Sequence, residues 1–299
     1  MPEREREAIA AELQPPFTIS GPRAARAPFV FCSPHSGRIY PKQFLASSRL
    51  DPHTLRKSED CFVEELFADV AAFGAPLIAA RFPRAYIDVN REPYELDPEL
   101  FDEPLPPFAN TQSVRVVGGL GTIARIVADG EEIYRKKIPI AAALERIDHL
   151  YKPFHANLSA LLDDARRRFG MAFLIDCHSM PSASAGQPHT QRPDVVLGDR
   201  FGVACDAKLT RFLRDRLTEA GFAVHINRPY AGGFITEHYG RPARGFHALQ
   251  IEINRALYMD ETTFERNRSF GRLRSELGGV MGRMMIELPN LLGGRAAAE

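Results

Sequence analysis

The chain has 299 residues, enough for one large α/β domain or two modest ones. Its residues are 44% hydrophobic and 25% charged, which excludes a disordered chain, and Lys plus Arg (38) balance Asp plus Glu (38), which removes the electrostatic ground for a nucleic-acid partner or an anionic membrane surface. No apolar run nears the length of a bilayer span, and the start M-P-E-R-E-R-E lacks the apolar core of a secretory signal. The four cysteines, Cys32, Cys61, Cys177 and Cys205, form no C-x-x-C pair and read as small buried hydrophobes in a reducing compartment, so a cytoplasmic protein is expected.

Residues 1–22 are charged and proline-punctuated and are expected to form a loosely held arm. A catalytic domain is expected over 23–290 and a frayed tail over 291–299. Ala27 to Ser33 reads as a buried strand running into Pro34-His35-Ser36-Gly37. Phe62, Val63, Leu66, Phe67, Val70 and Phe73 follow a helical period, with Ser58-Glu59-Asp60 where an N-cap belongs. Short strands are predicted at Pro76–Ala80 and Ala85–Val89. Residues 92–121, rich in Pro, Asp and Glu, have no period, and a loop that long in a compact domain is usually functional or disordered. Residues 131–169 predict helix, with Pro139 beginning a second, longer helix and Pro153 kinking it. Met171 to Ile175 is a short apolar run of the kind found in a central parallel strand, and it breaks abruptly into Asp176, His178, Ser179 and Pro181. A loop at 183–193 leads to a strand at Val195–Leu197. A helix marked by Leu209, Phe212, Leu213 and Leu217 follows, then a strand at Phe222–Ile226 and a turn at Ala231-Gly232-Gly233-Phe234. The last strand, Phe246–Ile253, carries Glu252, and a helix over about 261–285 ends the fold. Strands alternating with helices predict a single α/β domain with a mixed, mostly parallel sheet flanked by helices.

Polar residues fall at the strand ends: His35; Asn90 and Arg91; Asp176 and His178; Asn227, Arg228 and Tyr230; Glu252 and Arg255. In open α/β sheets ligands sit beyond the carboxyl ends of the strands. The residue types suit a mononuclear zinc hydrolase: two imidazoles and a carboxylate hold the ion and leave a position for water, and His35, Asp60 and His178 supply that set. Glu252, in an apolar strand, is the candidate general base. Arg91 and Arg255 suggest an anionic substrate, since guanidinium binds carboxylate bidentately. Structural readings stand beside these. Asp60 most simply caps the helix after it, Glu59 competes with it as third ligand, Glu252 could pair with Arg255, and His155 reads as a core histidine or a support to a ligand. His225 and His247 read as strand histidines with local partners. The absence of G-x-S-x-G and of G-x-G-x-x-G disfavours a serine hydrolase and a nucleotide binder.

Taken in order, S-P-H-S-G (33–37), S-E-D-C-F-V (58–63), D-V-N-R (88–91), Y-K-P-F-H-A-N-L (151–158), I-D-C-H-S-M-P-S (175–182), D-V-V-L-G-D (194–199), N-R-P-Y-A-G-G-F-I-T (227–236) and L-Q-I-E-I-N-R-A-L-Y-M (249–259) resemble the N-formylglutamate amidohydrolase family over roughly residues 28 to 260. The resemblance implies a zinc-carboxypeptidase-like (phosphorylase/hydrolase-like) α/β fold, one Zn2+ or other divalent metal per chain, and hydrolysis of a small anionic N-acyl amino acid. The best-known substrate is N-formyl-L-glutamate, late in histidine degradation. It implies His35, Asp60 and His178 as metal ligands and Glu252 as the general base. Arg91, Asn90, Tyr230, Gly232, Gly233 and Arg255 become substrate-binding residues, with Asp176, Ser179, His155 and Glu59 supporting them. The expected assembly is a monomer or small homo-oligomer. Two departures from the family bear on the substrate: a lengthened acidic 92–107 segment, and Phe154 where the closest formylglutamate hydrolases carry Tyr. The alternatives are a deacylase or carboxypeptidase-like hydrolase of another acyl amino acid, and a non-catalytic small-molecule binder.

Overall fold

The structure is a computed structural model that describes residues 2–22, 24–127, 130–185 and 192–293. The chain folds into two compact units, each assembled from several stretches rather than from one continuous block. The first comprises 1–18, 34–59 and 79–157, and the second 19–33, 60–78 and 158–299.

Seven strands form one sheet: β1 (Phe17–Ser20), β2 (Phe29–Ser33), β3 (Leu77–Ala80), β4 (Ala172–Met180), β5 (Val195–Gly198), β6 (Val224–Ile226) and β7 (Phe246–Asn254), in the order β1-β3-β2-β4-β7-β5-β6. β2, β4, β7, β5 and β6 lie wholly in the second unit, and β1 and β3 carry the chain from one unit to the other. β2 pairs parallel to β4, β4 parallel to β7 and β5 parallel to β6, while β5 runs antiparallel to β7. The sheet is thus mixed and mostly parallel at its centre, as expected.

The two faces of the central strands differ. Phe173, Ile175 and Cys177 of β4 and Leu249, Ile251 and Ile253 of β7 join Phe29, Phe31, Val195 and Leu197 in the core of the second unit. That face packs on Leu209, Leu213 and Leu217 of the helix Ala207–Glu219 and on Leu277, Met281, Met284 and Leu288 of the helix Phe270–Leu291. Burying each such side chain contributes about 1.5–3 kcal/mol. The opposite face begins apolar, with Ala172, Leu174 and Ala248, and becomes polar at Asp176, His178, Gln250 and Glu252. A slip of one residue would drive the carboxylates into the core, so the apolar face pins the register that sets out the polar one.

Several elements differ from the sequence reading. β4 continues through Asp176 and His178 to Met180, with all nine residues buried, so the polar residues lie within the strand rather than beyond it. The N-terminal residues are not a loose arm: Pro2–Glu12 is a helix with Ile9 and Leu13 fully buried. Its buried Glu5 accepts hydrogen bonds from Arg146 Nε (2.6 Å) and the Tyr86 hydroxyl (2.5 Å). The helix expected at 62–73 shortens to Val63–Leu66 followed by a 3-10 turn at Ala68–Ala71, because Phe67 leaves helical geometry (φ −100°, ψ 7°). Ala85–Val89 is a buried turn closed by Tyr86 N–H on the Pro83 carbonyl, not a strand. Helix begins at Ile140, not 131. A π turn at Ile147–Tyr151, closed by Lys152 N–H on the Ile147 carbonyl, then precedes the helix Lys152–Phe169, whose second residue is Pro153. The Gly232-Gly233 turn opens a helix, Phe234–Tyr239, that was not foreseen. Residues 259–266 form a small hairpin instead of helix. The final helix reaches Leu291, and the tail expected to fray lies, from 294 on, outside the described residues, as do 186–191 of the 183–193 loop. All four cysteines are free and buried. Among the described residues no helix is long and apolar enough to cross a membrane.

Candidate active site

In the second unit, β4 and β7 set four polar side chains side by side. The register pairs His178 with Glu252 and Asp176 with Gln250, so the four project from the same face of neighbouring strands. All are buried, Asp176 completely. His178 lies between two carboxylates, its Nδ1 3.0 Å from Asp60 Oδ2 and its Nε2 3.0 Å from Asp176 Oδ1. Burial opposes charge on the ring, but Asp176, then Asp60 and Glu252, outweigh it and hold the imidazole pKa well above its ordinary value. Asp176 Oδ2 also accepts from the Thr236 hydroxyl (3.3 Å), and Glu252 Oε1 accepts from Gln250 Nε2 (2.8 Å).

Asp60 does not cap the helix that follows it. Phe62 occupies the N-cap position with no side-chain cap bond, and the Asp60 carboxylate faces His178 and Arg255 instead. Arg255, also buried, donates from Nη2 to Asp60 Oδ1 (3.1 Å) and from Nε to Ser179 Oγ (3.2 Å). Its ion pair is with Asp60, where the sequence had suggested Glu252. Ser179 thus helps to seat the arginine that holds Asp60.

Tyr230 is half-buried against Met180 and Val196. Gly232 has φ +113°, a conformation that favours glycine, and Gly233 N–H donates to Gln250 Oε1 (2.7 Å). Asn227 holds the Asp199 turn, accepting from Asp199 N–H (3.0 Å) and donating to Asp199 Oδ1 (2.7 Å). His247 is a strand histidine with a local partner, its Nδ1 accepting from Asp206 N–H (3.1 Å), and His225 is exposed on β6.

In the first unit, His35 donates from Nε2 to Asp88 Oδ1 (2.7 Å), both side chains being buried. The second oxygen of Asp88 meets Arg84 Nη2 (2.8 Å) and Arg91 Nη2 (3.4 Å). Burial works against the Asp88 charge, yet Arg84, Arg91 and His35 together hold its carboxyl well below the usual range. Arg91 donates to the carbonyls of Leu120 and Asn90, both at 2.8 Å, and burial pushes its pKa down to about 10. Asn90 N–H donates to Asp88 Oδ1 (2.8 Å). His155 donates to the Val89 carbonyl (2.8 Å) and the Tyr151 hydroxyl to that of Arg91 (2.7 Å), so the π turn and the helix after it support the 88–91 turn. Glu59 is taken up by the Tyr40 hydroxyl (2.5 Å) and Arg56 (3.2 Å). Phe154, the departure from Tyr, is fully buried with edge contacts to Phe17 and Phe82, so that substitution is a difference in packing.

Sequence reasoning missed Asp88, Arg84, Thr236 and Gln250. Gln250 stands two positions from Glu252, a spacing that puts both on one face of a strand, and that spacing was the available signal.

These features define an α/β protein with a mixed, mostly parallel sheet and a buried carboxylate–imidazole cluster on one face of its central strands. Within that class, the chain belongs to the N-formylglutamate amidohydrolase family, whose profile matches residues 27–259. Its curated relatives include the N-formylglutamate deformylases of Pseudomonas putida (28% identical over 240 residues, 79% of this chain and 84% of that protein) and Pseudomonas aeruginosa PAO1 (29% over 244 residues, 80% and 85%). Among solved structures it is similar to the N-formylglutamate amidohydrolase from Ralstonia eutropha JMP134, with TM-score 0.85, 37% identity, and 90% of this chain and 97% of that one covered. A gene product of Agrobacterium tumefaciens shares the fold at TM-score 0.59 and 16% identity, covering 93% and 96%.

Proposed function

We propose that this protein is a metal-dependent amidohydrolase that cleaves N-formyl-L-glutamate to glutamate and formate. The observation that carries the reading is the polar face of β4 and β7, with His178 beside Glu252, in a chain 37% identical over most of its length to an N-formylglutamate amidohydrolase. His35, Asp60 and His178 are the proposed ligands; all three are buried and each offers one ligand atom. His35 follows the end of β2 by two residues, and β2 is the parallel neighbour of β4, which carries His178.

The donors fit a divalent cation. Two imidazoles and a carboxylate are a donor set that would hold such an ion, and Asp60 Oδ2 and His178 Nδ1 face each other at 3.0 Å. Asp60, Asp176 and Glu252 around one imidazole make a place prepared for positive charge. Asp176 on His178, and Asp88 on His35, are the carboxylate partners that orient ligand imidazoles. In this reading Asp60 rather than Glu59 is the third ligand, since Glu59 is bound by Tyr40 and Arg56. A divalent metal held by these residues would supply Lewis acidity, towards water and towards the formyl carbonyl.

The chain's own residues do the rest. Glu252 accepts a proton from the water that attacks the formyl carbon and delivers it to the glutamate nitrogen as the C–N bond breaks. Arg91 and Arg255, with Asn90, Tyr230, Gly232 and Gly233, are the proposed substrate-binding residues. The arginines suit the two carboxylates of the substrate. Glu252→Ala is expected to abolish formate release while keeping stoichiometric metal; a fully active variant would remove Glu252 from the mechanism. A panel of N-acyl amino acids tests the substrate, and faster turnover of another acyl group would move the assignment to a related deacylase.

A further inference from the structure

Three sequence motifs, 194–199, 227–236 and 249–259, meet at one hydrogen-bonded chain in the second unit. Gly233 N–H donates to Gln250 Oε1 (2.7 Å), and Gln250 Nε2 donates to Glu252 Oε1 (2.8 Å). A side-chain amide can turn either end to a neighbour. A backbone N–H can only donate, so it admits only the carbonyl end of Gln250, and the NH2 end is turned to Glu252, where a carboxylate can only accept.

The delivery of that backbone N–H depends on Gly198. In the antiparallel register Gly198 lies directly opposite Gln250. A Cβ at 198 would fall 2.6 Å from Gly232 N and 2.7 Å from the Ala231 carbonyl carbon, both backbone atoms that cannot swing aside. Without a side chain there, the 231–233 turn lies against the strand and is tied down by Arg200 N–H on the Ala231 carbonyl (2.8 Å).

We infer that Gln250 is a positioning residue for Glu252, and that the Gly198–Gly233 contact sets the direction in which Gln250 donates. The inference rests on the proposal that Glu252 is the base. Pinning Oε1 fixes the plane of the carboxylate, and with it the direction in which Glu252 meets the attacking water. Substrate binding does not depend on that plane, so the consequence falls on kcat and not on KM.

The test uses the full-length, metal-loaded protein with N-formyl-L-glutamate, following formate release, bound metal and thermal midpoint. Gln250→Met removes both bonds at similar volume. Gln250→Glu keeps the shape and the bond from Gly233 but turns an acceptor towards Glu252. Each is expected to lower kcat about 10- to 100-fold, the loss of one hydrogen bond to a charged group, with KM within about threefold and metal content unchanged. Gly198→Ala, which leaves Gln250 in place but moves the turn that carries Gly232 and Gly233, is expected to lower kcat to a similar extent whatever it does to KM, and the Gly198→Ala/Gln250→Met double variant to have a kcat no lower than Gln250→Met alone. Wild-type kcat in folded, metal-loaded Gln250→Met or Gln250→Glu overturns the inference, as do multiplicative losses in the double variant. If instead Glu252→Ala itself keeps full activity, it is the assignment of the base that has failed.

Discussion

Asp88 is the residue whose removal tests the support of His35 most sharply. Its carboxylate takes His35 Nε2 and Asn90 N–H on one oxygen and Arg84 and Arg91 on the other. Asp88→Asn preserves the shape and, with its carbonyl towards His35, preserves that hydrogen bond. It removes the charge, however, and turns an NH2 towards two guanidinium groups. The Arg84 contact is partly open to solvent, so little of it counts, whereas the Arg91 pair is buried on both sides. Leaving Arg91 without its counter-charge is expected to cost about 3 kcal/mol of stability. A neutral partner also makes the His35 ring a poorer donor of electrons to a cation, and such supports are worth about 10- to 100-fold in metal affinity. Competition against a chelator of known affinity, run beside urea unfolding of the metal-free protein, separates the two effects. Metal affinity within twofold of wild type in Asp88→Asn would refute the role of Asp88 behind His35, whatever happens to stability.

Two further outcomes test the fold. Arg146 is buried among Glu5, Tyr86 and Tyr134, with its guanidinium 4.0 Å from the Tyr86 ring. Arg146→Met leaves Glu5 buried with the Tyr86 hydroxyl but without its counter-charge and is expected to cost about 3–5 kcal/mol, read by urea denaturation; a change under about 1 kcal/mol would mean that the N-terminal helix is not docked through Glu5. His247 is stacked on Phe173 and accepts from Asp206 N–H, and burial lowers its pKa despite Asp206. The folded protein then binds fewer protons than the unfolded chain just below about pH 6.5. His247 therefore contributes stability that is present above that pH and declines as pH falls through the window below it. His247→Gln is expected to flatten the fall in thermal midpoint between pH 6.5 and 5, and an unchanged slope would contradict the assignment.

The central strands were legible because burial on both faces forces continuous apolar runs, and Met171–Ile175 and Phe246–Ile253 read as such. What the runs concealed was that Asp176 and His178 belong to the strand. A strand that turns polar on one face only looks, in sequence, like a strand that has ended. Gln250 was passed over for the same reason, as filler inside an apolar run, although it is two residues before Glu252 on the same face. Asp88 was hidden by reading Ala85–Val89 as strand, when its apolar residues are buried in a turn. The N-terminal helix escaped because charge and proline mask its short apolar stripe, and the residue that anchors it, Glu5, is a buried carboxylate that no hydrophobic pattern marks. The helical period at 62–73 placed Val63, Leu66, Phe67 and Val70 in the core, but Phe62 is only partly buried and Phe73 is exposed, because the segment forms two short turns rather than one helix.

The most direct measurement is formate release from N-formyl-L-glutamate by the purified chain before chelation, after it, and after zinc is restored. Turnover that is lost on chelation and returns with zinc is the predicted result. No formate from the zinc-loaded protein would contradict the account.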